Sequence, residues 1–378
     1  MTILITGASG FIGSFIVEEA LKRGYEVWAG IRQSSSTRYL QDERIHLAEL
    51  DLSSSDTLCR QLRAIQPQLK DGRWDYVVHA AGATKCRRKE DFYKTNTQGT
   101  ENLVWALKST GMTPQRFVFV SSLSVFGAIR EEKVNEAKSQ RIGKSENRRT
   151  EKPKNRKTEK PQNQRDEKAL IYAPILDTDT PRPNTAYGDS KLKAETFLRH
   201  MHEMHGFPVV TLRPTGVYGP RERDYFLMAK SIKQHTDFAV GFKPQEITFI
   251  YVRDLVAAIF LAIKAEGVEG KAYFLSDGEV YHSRRFSDLL QQEMGNPWVL
   301  HIKAPLWLLK AICAVSGTVS GWMGKTTTLN LDKYHILSQR NWQCDITPAR
   351  KELGYEPQWN LERGVAEAVA WYKQNKWL

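Results

Sequence analysis

The chain has 378 residues, 41% hydrophobic and 26% charged, with a formal net charge of +12. That length suits one large or two modest domains, and the composition is ordinary for a soluble globular protein. Half of the excess charge falls between positions 130 and 168, where 14 Lys/Arg accompany 8 Asp/Glu, which argues against a basic binding surface for nucleic acid; the four separated cysteines, Cys59, Cys86, Cys313 and Cys344, form no pair or Cys/His cluster with metal spacing.

The first predicted strand is the apolar run Ile3-Leu4-Ile5-Thr6. It leads into Gly7-Ala8-Ser9-Gly10-Phe11-Ile12-Gly13, a glycine-rich turn opening a helix. Such a turn builds a site for a dinucleotide pyrophosphate: Gly7 permits the bend, Gly10 lets backbone N–H groups approach phosphate, and Gly13 lets the helix pack on the strand. Ser9, Phe11 and Ile12 complete the expected cradle. Strands follow at Tyr25 to Ile31 and at Ile45 to Leu50. The second strand ends in Arg32 rather than a carboxylate. A carboxylate there would serve a ribose 2′-hydroxyl, whereas Arg32 suits a 2′-phosphate, so NADP is expected over NAD. Asp51, before Leu52, either meets the adenine amino group or caps the next helix.

Trp74 to His79 and Phe117 to Val120 read as two more short strands, with helical periodicity from Lys89 to Ser109 between them. The segment 130–168 is predicted to be a disordered insertion, because it repeats itself (Thr150-Glu151-Lys152-Pro153, then Thr158-Glu159-Lys160-Pro161) and carries few apolar residues. Tyr187 to Met204 reads as a helix and Val209 to Leu212 as a buried strand. Phe249 to Val252 and Asp254 to Ala265 read as a strand and helix returning to the sheet. The expected fold is α/β, a doubly wound parallel sheet with a smaller C-terminal lobe. Residues 1–218, with 247–265, would form the dinucleotide-binding domain, and 219–246 with 266–378 the substrate lobe.

Tyr187-Gly188-Asp189-Ser190-Lys191 places a phenol and an ammonium on one helical face. The cation favours the phenolate, so Tyr187 can exchange a proton with a substrate oxygen while hydride moves to or from a nicotinamide. Ser122, with Ser124 as neighbour, follows the strand Val118-Phe119-Val120 and is placed to polarise the same oxygen. Asn96 would fix a water or backbone group linked to the lysine. The apolar run Ala304 to Val315, followed by Trp322 and Met323, is read first as a buried helix of the lobe, with a substrate lid or peripheral membrane contact as the other readings. Gly321-Trp322-Met323-Gly324-Lys325-Thr326 ends like a phosphate-binding P-loop but has Val319 where that motif needs glycine.

Taken together the motifs resemble the extended short-chain dehydrogenases/reductases, the NAD-dependent epimerase/dehydratase superfamily. They are Thr6-Gly7-x-x-Gly10-x-x-Gly13, His79-Ala80-Ala81-Gly82, Asn96-x-x-Gly99-Thr100, Ser121-Ser122, Tyr187-x-x-x-Lys191, Leu212-Arg213-Pro214-x-x-Val217-Tyr218-Gly219-Pro220 and Tyr251-Val252-Arg253-Asp254. The resemblance implies a Ser122, Tyr187, Lys191 triad, with Lys191 also on the nicotinamide ribose. It implies that Ala80, Ala81 and Gly82 line the cofactor and that Pro214, Thr215, Gly216 and Val217 border the nicotinamide. Leu123 stands where sugar dehydratases of the family carry an acid, and Ile247 where many nucleotide-sugar epimerases carry an arginine. The tail, including Glu352-Leu353-Gly354-Tyr355, resembles members related to 3β-hydroxysteroid dehydrogenases and dihydroflavonol-type reductases. The expectation is therefore alcohol/ketone redox on a bulky, weakly polar small molecule by a cytoplasmic protein without metal, with homodimers common among related proteins. Nucleotide-sugar epimerisation and non-catalytic NADP sensing are the alternatives.

Overall fold

The computed structural model describes residues 1–133, 171–313 and 331–378. Most of the basic insertion and the P-loop-like segment, with Trp322 and Met323, lie outside the described residues. The strands are β1 (Thr2–Thr6), β2 (Glu26–Ile31), β3 (Ile45–Glu49), β4 (Tyr76–His79), β5 (Arg116–Val120), β6 (Val209–Pro214), β7 (Gly216–Tyr218), β8 (Thr236–Val240), β9 (Glu246–Ile247), β10 (Phe249–Tyr251) and β11 (Ala272–Leu275). Seven of them form one sheet in the order β11-β6-β5-β4-β1-β2-β3, and every pairing within it is parallel. Continuous apolar runs form these strands because both faces are covered. Strand order reverses between β1 and β4, and a crevice for ligand opens beyond the carboxyl ends of strands at such a point.

Two cores flank the sheet. On one face, α1 (Phe11–Lys22) packs with the helix Val252–Lys264 through Phe15, Ile16, Ile259 and Phe260. On the other, α2 (Ser55–Ile65), α4 (Gly99–Ser109) and α5 (Ala186–His205) contribute Leu58, Leu62, Leu103, Val104, Ala194 and Leu198. Between α3 (Lys89–Phe92) and α4 the expected single helix widens into a π-helical stretch, Tyr93–Gln98. Such bulges cluster at functional sites, and this one carries Asn96.

Two assignments differ from the sequence reading. The strand at Phe249–Tyr251 does not rejoin the main sheet; it pairs with β7 in a separate two-stranded sheet. The main-sheet edge is β11, which lies inside the segment assigned to the lobe. Both strands are short apolar runs, and composition alone does not tell which one finds the β6 edge. The helix at 306–313 is also only half-buried: Leu309 and Cys313 point inward, whereas Trp307 and Ile312 are exposed. Asp254 accepts hydrogen bonds from the backbone N–H groups of Gln358 and Trp359, tying the C-terminal segment to the helix that begins at Val252.

Candidate active site

The glycine turn is shaped by close backbone approach. Gly7 has φ of +71°, and a Cβ there would lie 2.7 Å from the Ala81 nitrogen. A Cβ on Gly13 would lie 2.1 Å from the Gly7 carbonyl oxygen. Gly10 differs: its added Cβ meets only that same oxygen, at 3.2 Å, and otherwise projects into open space. Gly10 is the N-cap of α1 yet supplies no side-chain cap, and the first turn holds no acidic residue. An uncapped helix N-terminus beside open space fits a pyrophosphate. Gly13→Ala is therefore expected to cost about 1–3 kcal/mol of stability through overpacking, as well as cofactor affinity. Gly10→Ala is expected to keep stability and lose affinity. Chemical denaturation and cofactor titration of both variants check the contrast.

β4 delivers the second wall. His79 is fully buried between the hydroxyls of Thr6 (2.7 Å) and Thr100 (2.9 Å). Burial, with a smaller contribution from Lys191, pushes its pKa down to about 3. The imidazole is neutral when folded but titrates near 6.5 when unfolded, so the unfolded state binds the extra proton between those values. Stability is lost as pH falls through that window, by about 3 kcal/mol at pH 4. His79→Asn, which does not titrate, is expected to show a shallower loss of stability in urea unfolding between pH 6.5 and 4.

The catalytic candidates come together at the ends of β4 and β5 and on α5. Thr185 caps α5, accepting from the Gly188 N–H at 3.0 Å. Gly188 allows the helix to rest on the serine turn, since a Cβ there would lie 2.4 Å from the Ser124 carbonyl oxygen. That contact brings the Ser122 hydroxyl close enough to the Tyr187 phenol to favour its phenolate form. Burial pushes the phenol pKa up, and the neighbouring Ser122 hydroxyl draws it back. Ser122 also bonds the Ser124 hydroxyl at 3.1 Å. One turn along, the buried Lys191 ammonium donates to the Val120 carbonyl (2.9 Å) and lies over the Phe119 ring. Burial lowers its pKa to about 8, opposed by Glu195.

Asn96 works on backbone. Its amide accepts from the Ala83 N–H (2.7 Å), donates to the Ala83 carbonyl (3.0 Å) and donates to the Ser190 hydroxyl (2.9 Å). It thereby fixes the chain beside Gly82, where a Cβ would lie 3.1 Å from the Lys191 nitrogen. At the far end of the cradle Arg32 is exposed, and its carbonyl and N–H bond Ser35. Asp51 does not cap α2; Ser54 does, leaving the Asp51 carboxylate bound to Ser53. The Leu52 carbonyl accepts from Asn102. Thr215 is turned away, its hydroxyl donating to the Thr248 carbonyl (2.7 Å), and Gly216 leaves room for the Tyr225 hydroxyl. Pro214 ends β6, and Val217, in β7, pairs with Ile250.

Sequence reasoning passed over Glu195. It is buried and salt-bridged to Arg213 at 2.6 Å, and it accepts from the Ser121 hydroxyl. Its position four residues beyond Lys191, with Arg213 inside the Leu212-Arg213-Pro214 motif, was the available signal. Arg221, with Arg223 and Lys243, is one of the cations that could substitute for the diphosphate-gripping arginine missing at Ile247. It adopts φ of +73° and joins the lobe to α1 through Glu18 and Ser14. Among the described residues, no group of three or more His, Cys, Asp or Glu has metal-binding geometry, and no helix is long and apolar enough to cross a membrane.

A parallel sheet with an open glycine turn at its reversal point, beside a Ser/Tyr/Lys set, defines an enzyme of the extended short-chain dehydrogenase/reductase type, dependent on NAD(P). The model of the NAD dependent epimerase/dehydratase family matches residues 3–151 and 162–275, and the chain belongs to that family. It is 24% identical over 392 residues to the 3 beta-hydroxysteroid dehydrogenase/Delta 5→4-isomerase of Mycobacterium tuberculosis (strain CDC 1551 / Oshkosh), covering 98% of this chain and 90% of that one. It is 25% identical over 381 residues to sterol demethylase protein B of Methylococcus capsulatus, covering 99% of each. In fold it is similar to the dTDP-glucose 4,6-dehydratase of Streptomyces venezuelae, solved with NAD bound, with a TM-score of 0.70, 21% identity and coverage of 100% and 98%.

Proposed function

We infer that this enzyme interconverts a secondary alcohol and a ketone on a bulky, weakly polar small molecule, with NADP preferred. The observation that carries the reading is the convergence of the Ser122 hydroxyl and the Tyr187 phenol beside the buried Lys191, whose ammonium donates to the Val120 carbonyl next to the serine turn. A bound nicotinamide would supply or accept the hydride. Tyr187 donates a proton to the forming alkoxide or takes one from the alcohol, and Ser122 orients that oxygen. The glycine turn would hold the pyrophosphate, Lys191 the nicotinamide ribose and Arg32 the 2′-phosphate.

Three features favour this substrate class over a nucleotide sugar. Ile247 carries no charge, and Thr248 is buried and donates to the Trp342 carbonyl. Arg221, a candidate to grip a diphosphate, is engaged by Glu18 and Ser14. The curated relatives above include a hydroxysteroid dehydrogenase and a sterol demethylase.

Purified enzyme should oxidise NADPH, followed by absorbance, when given bulky hydrophobic ketones. Conversion of a UDP-hexose to its epimer without net cofactor consumption would overturn the reading. Arg32→Ala should raise KM for NADPH by about 10- to 100-fold with little change for NADH, because only the phosphorylated cofactor loses a charge-assisted contact.

A further inference from the structure

The lobe exposes large apolar side chains in one stretch of structure. β8 pairs in parallel with a strand at Leu300–Ala304, with Thr236 opposite Leu300 and Phe238 opposite Ile302. In parallel strands, paired residues project to the same side, so Phe238, Leu300 and Ile302 share a face. Phe238 is 61% exposed and Leu300 50%. Trp298, just before the second strand, is 73% exposed; Trp307, in the helix just after it, is 72% exposed. Phe242 and Ile312 are exposed as well. Isolated exposed apolar residues are normal, but a concentration with two open indoles marks an interaction surface.

Charge identifies the partner. Residues 236–244 and 298–313 contain a single carboxylate, Asp237, which is buried and paired with Arg284. Lys303 lies over the Phe242 ring, and Lys243 and Lys310 are exposed. Indole and aliphatic side chains flanked by lysines, without exposed carboxylates, suit an anionic bilayer interface. Among the described residues no helix is long and apolar enough to cross a membrane, and the contact proposed is peripheral.

We propose that this face docks on anionic phospholipid membranes, with Phe238, Trp298, Leu300 and Trp307 entering the interface and the exposed Lys243 and Lys310 meeting headgroups. The inference does not depend on the assigned chemistry. The test is co-sedimentation of the full chain with phosphatidylcholine vesicles, with and without phosphatidylserine. Binding should appear with phosphatidylserine and weaken with added salt. F238S/W298S/W307S should lower partitioning by about tenfold or more. K243E/K310E, which keeps the apolar face, should weaken binding to phosphatidylserine vesicles selectively. Circular dichroism confirms that the variants fold. Absence of binding to either vesicle would overturn the proposal. So would binding that survives the triple substitution, or a dimer in size exclusion that the triple substitution dissolves, which would assign the face to a second copy.

Discussion

Tyr187→Phe is expected to lower kcat by about 10²- to 10⁴-fold while leaving cofactor affinity and folding stability nearly unchanged. The substitution removes one oxygen atom and keeps the ring, which packs edge-on to Phe92 with centroids 6.2 Å apart. Ser122 keeps its bond to Ser124, so no buried group is stranded. The proton-transfer step alone is lost. Burial raises the phenol pKa, which keeps Tyr187 protonated near neutrality. Ketone reduction consumes that proton, so its rate should hold at low pH and fall as pH rises through the phenol's pKa. Alcohol oxidation needs the phenolate and should run the other way. Both pH profiles should flatten in the Phe variant. Single-turnover hydride transfer, thermal melting and cofactor titration check the three parts. Turnover within a fewfold of wild type would assign the acid/base role to another group.

The site was legible where its chemistry depends on local spacing. Gly7, Gly10 and Gly13 are read from one turn, and Tyr187 and Lys191 from one helical repeat, because backbone geometry fixes those neighbours whatever the tertiary structure. The approach of Ser122 to Tyr187 is different. It depends on Gly127 and Gly188 permitting backbone contacts with Arg182 and Ser124, which no local pattern encodes. The same limit explains the edge of the sheet. Phe249-Ile250-Tyr251 and Ala272-Tyr273-Phe274-Leu275 are equivalent as apolar runs, and only tertiary packing sends the second to β6 and the first to β7. The run from Ala304 misled for a related reason: nearly uniform apolarity carries no helical period, so its exposed side could not be told from its buried one. Asp51 was ambiguous because a carboxylate before a helix is a plausible cap, and the neighbouring Ser54 took that place.

Glu195→Ala should destabilise the protein by about 3–5 kcal/mol, the cost of leaving a buried charge unpaired. Arg213 bonds this carboxylate through both Nε and Nη2, and the Ser121 hydroxyl donates to it as well. The pair joins α5 to the ends of β5 and β6, the two strands beside the catalytic groups. Its second effect is electrostatic. Lys191 is already lowered to about 8 by burial, with Glu195 opposing the shift. Removing the anion moves the lysine further down, so the alkaline limb of the activity profile should retreat to lower pH. Stability follows the same linkage. Between the folded value near 8 and the unfolded value near 10.5, the unfolded state binds the extra proton, so stability rises with pH across that window. In the Ala variant the window extends downward. The double variant Glu195→Leu with Arg213→Met removes both charges and should recover most of the lost stability. It should not recover the pH profile, because Lys191 still lacks its neighbouring carboxylate. Urea unfolding together with kcat against pH separates these effects. If the double variant restored both, Glu195 would be a packing element only; if it restores stability alone, the carboxylate positions Lys191 and sets its charge.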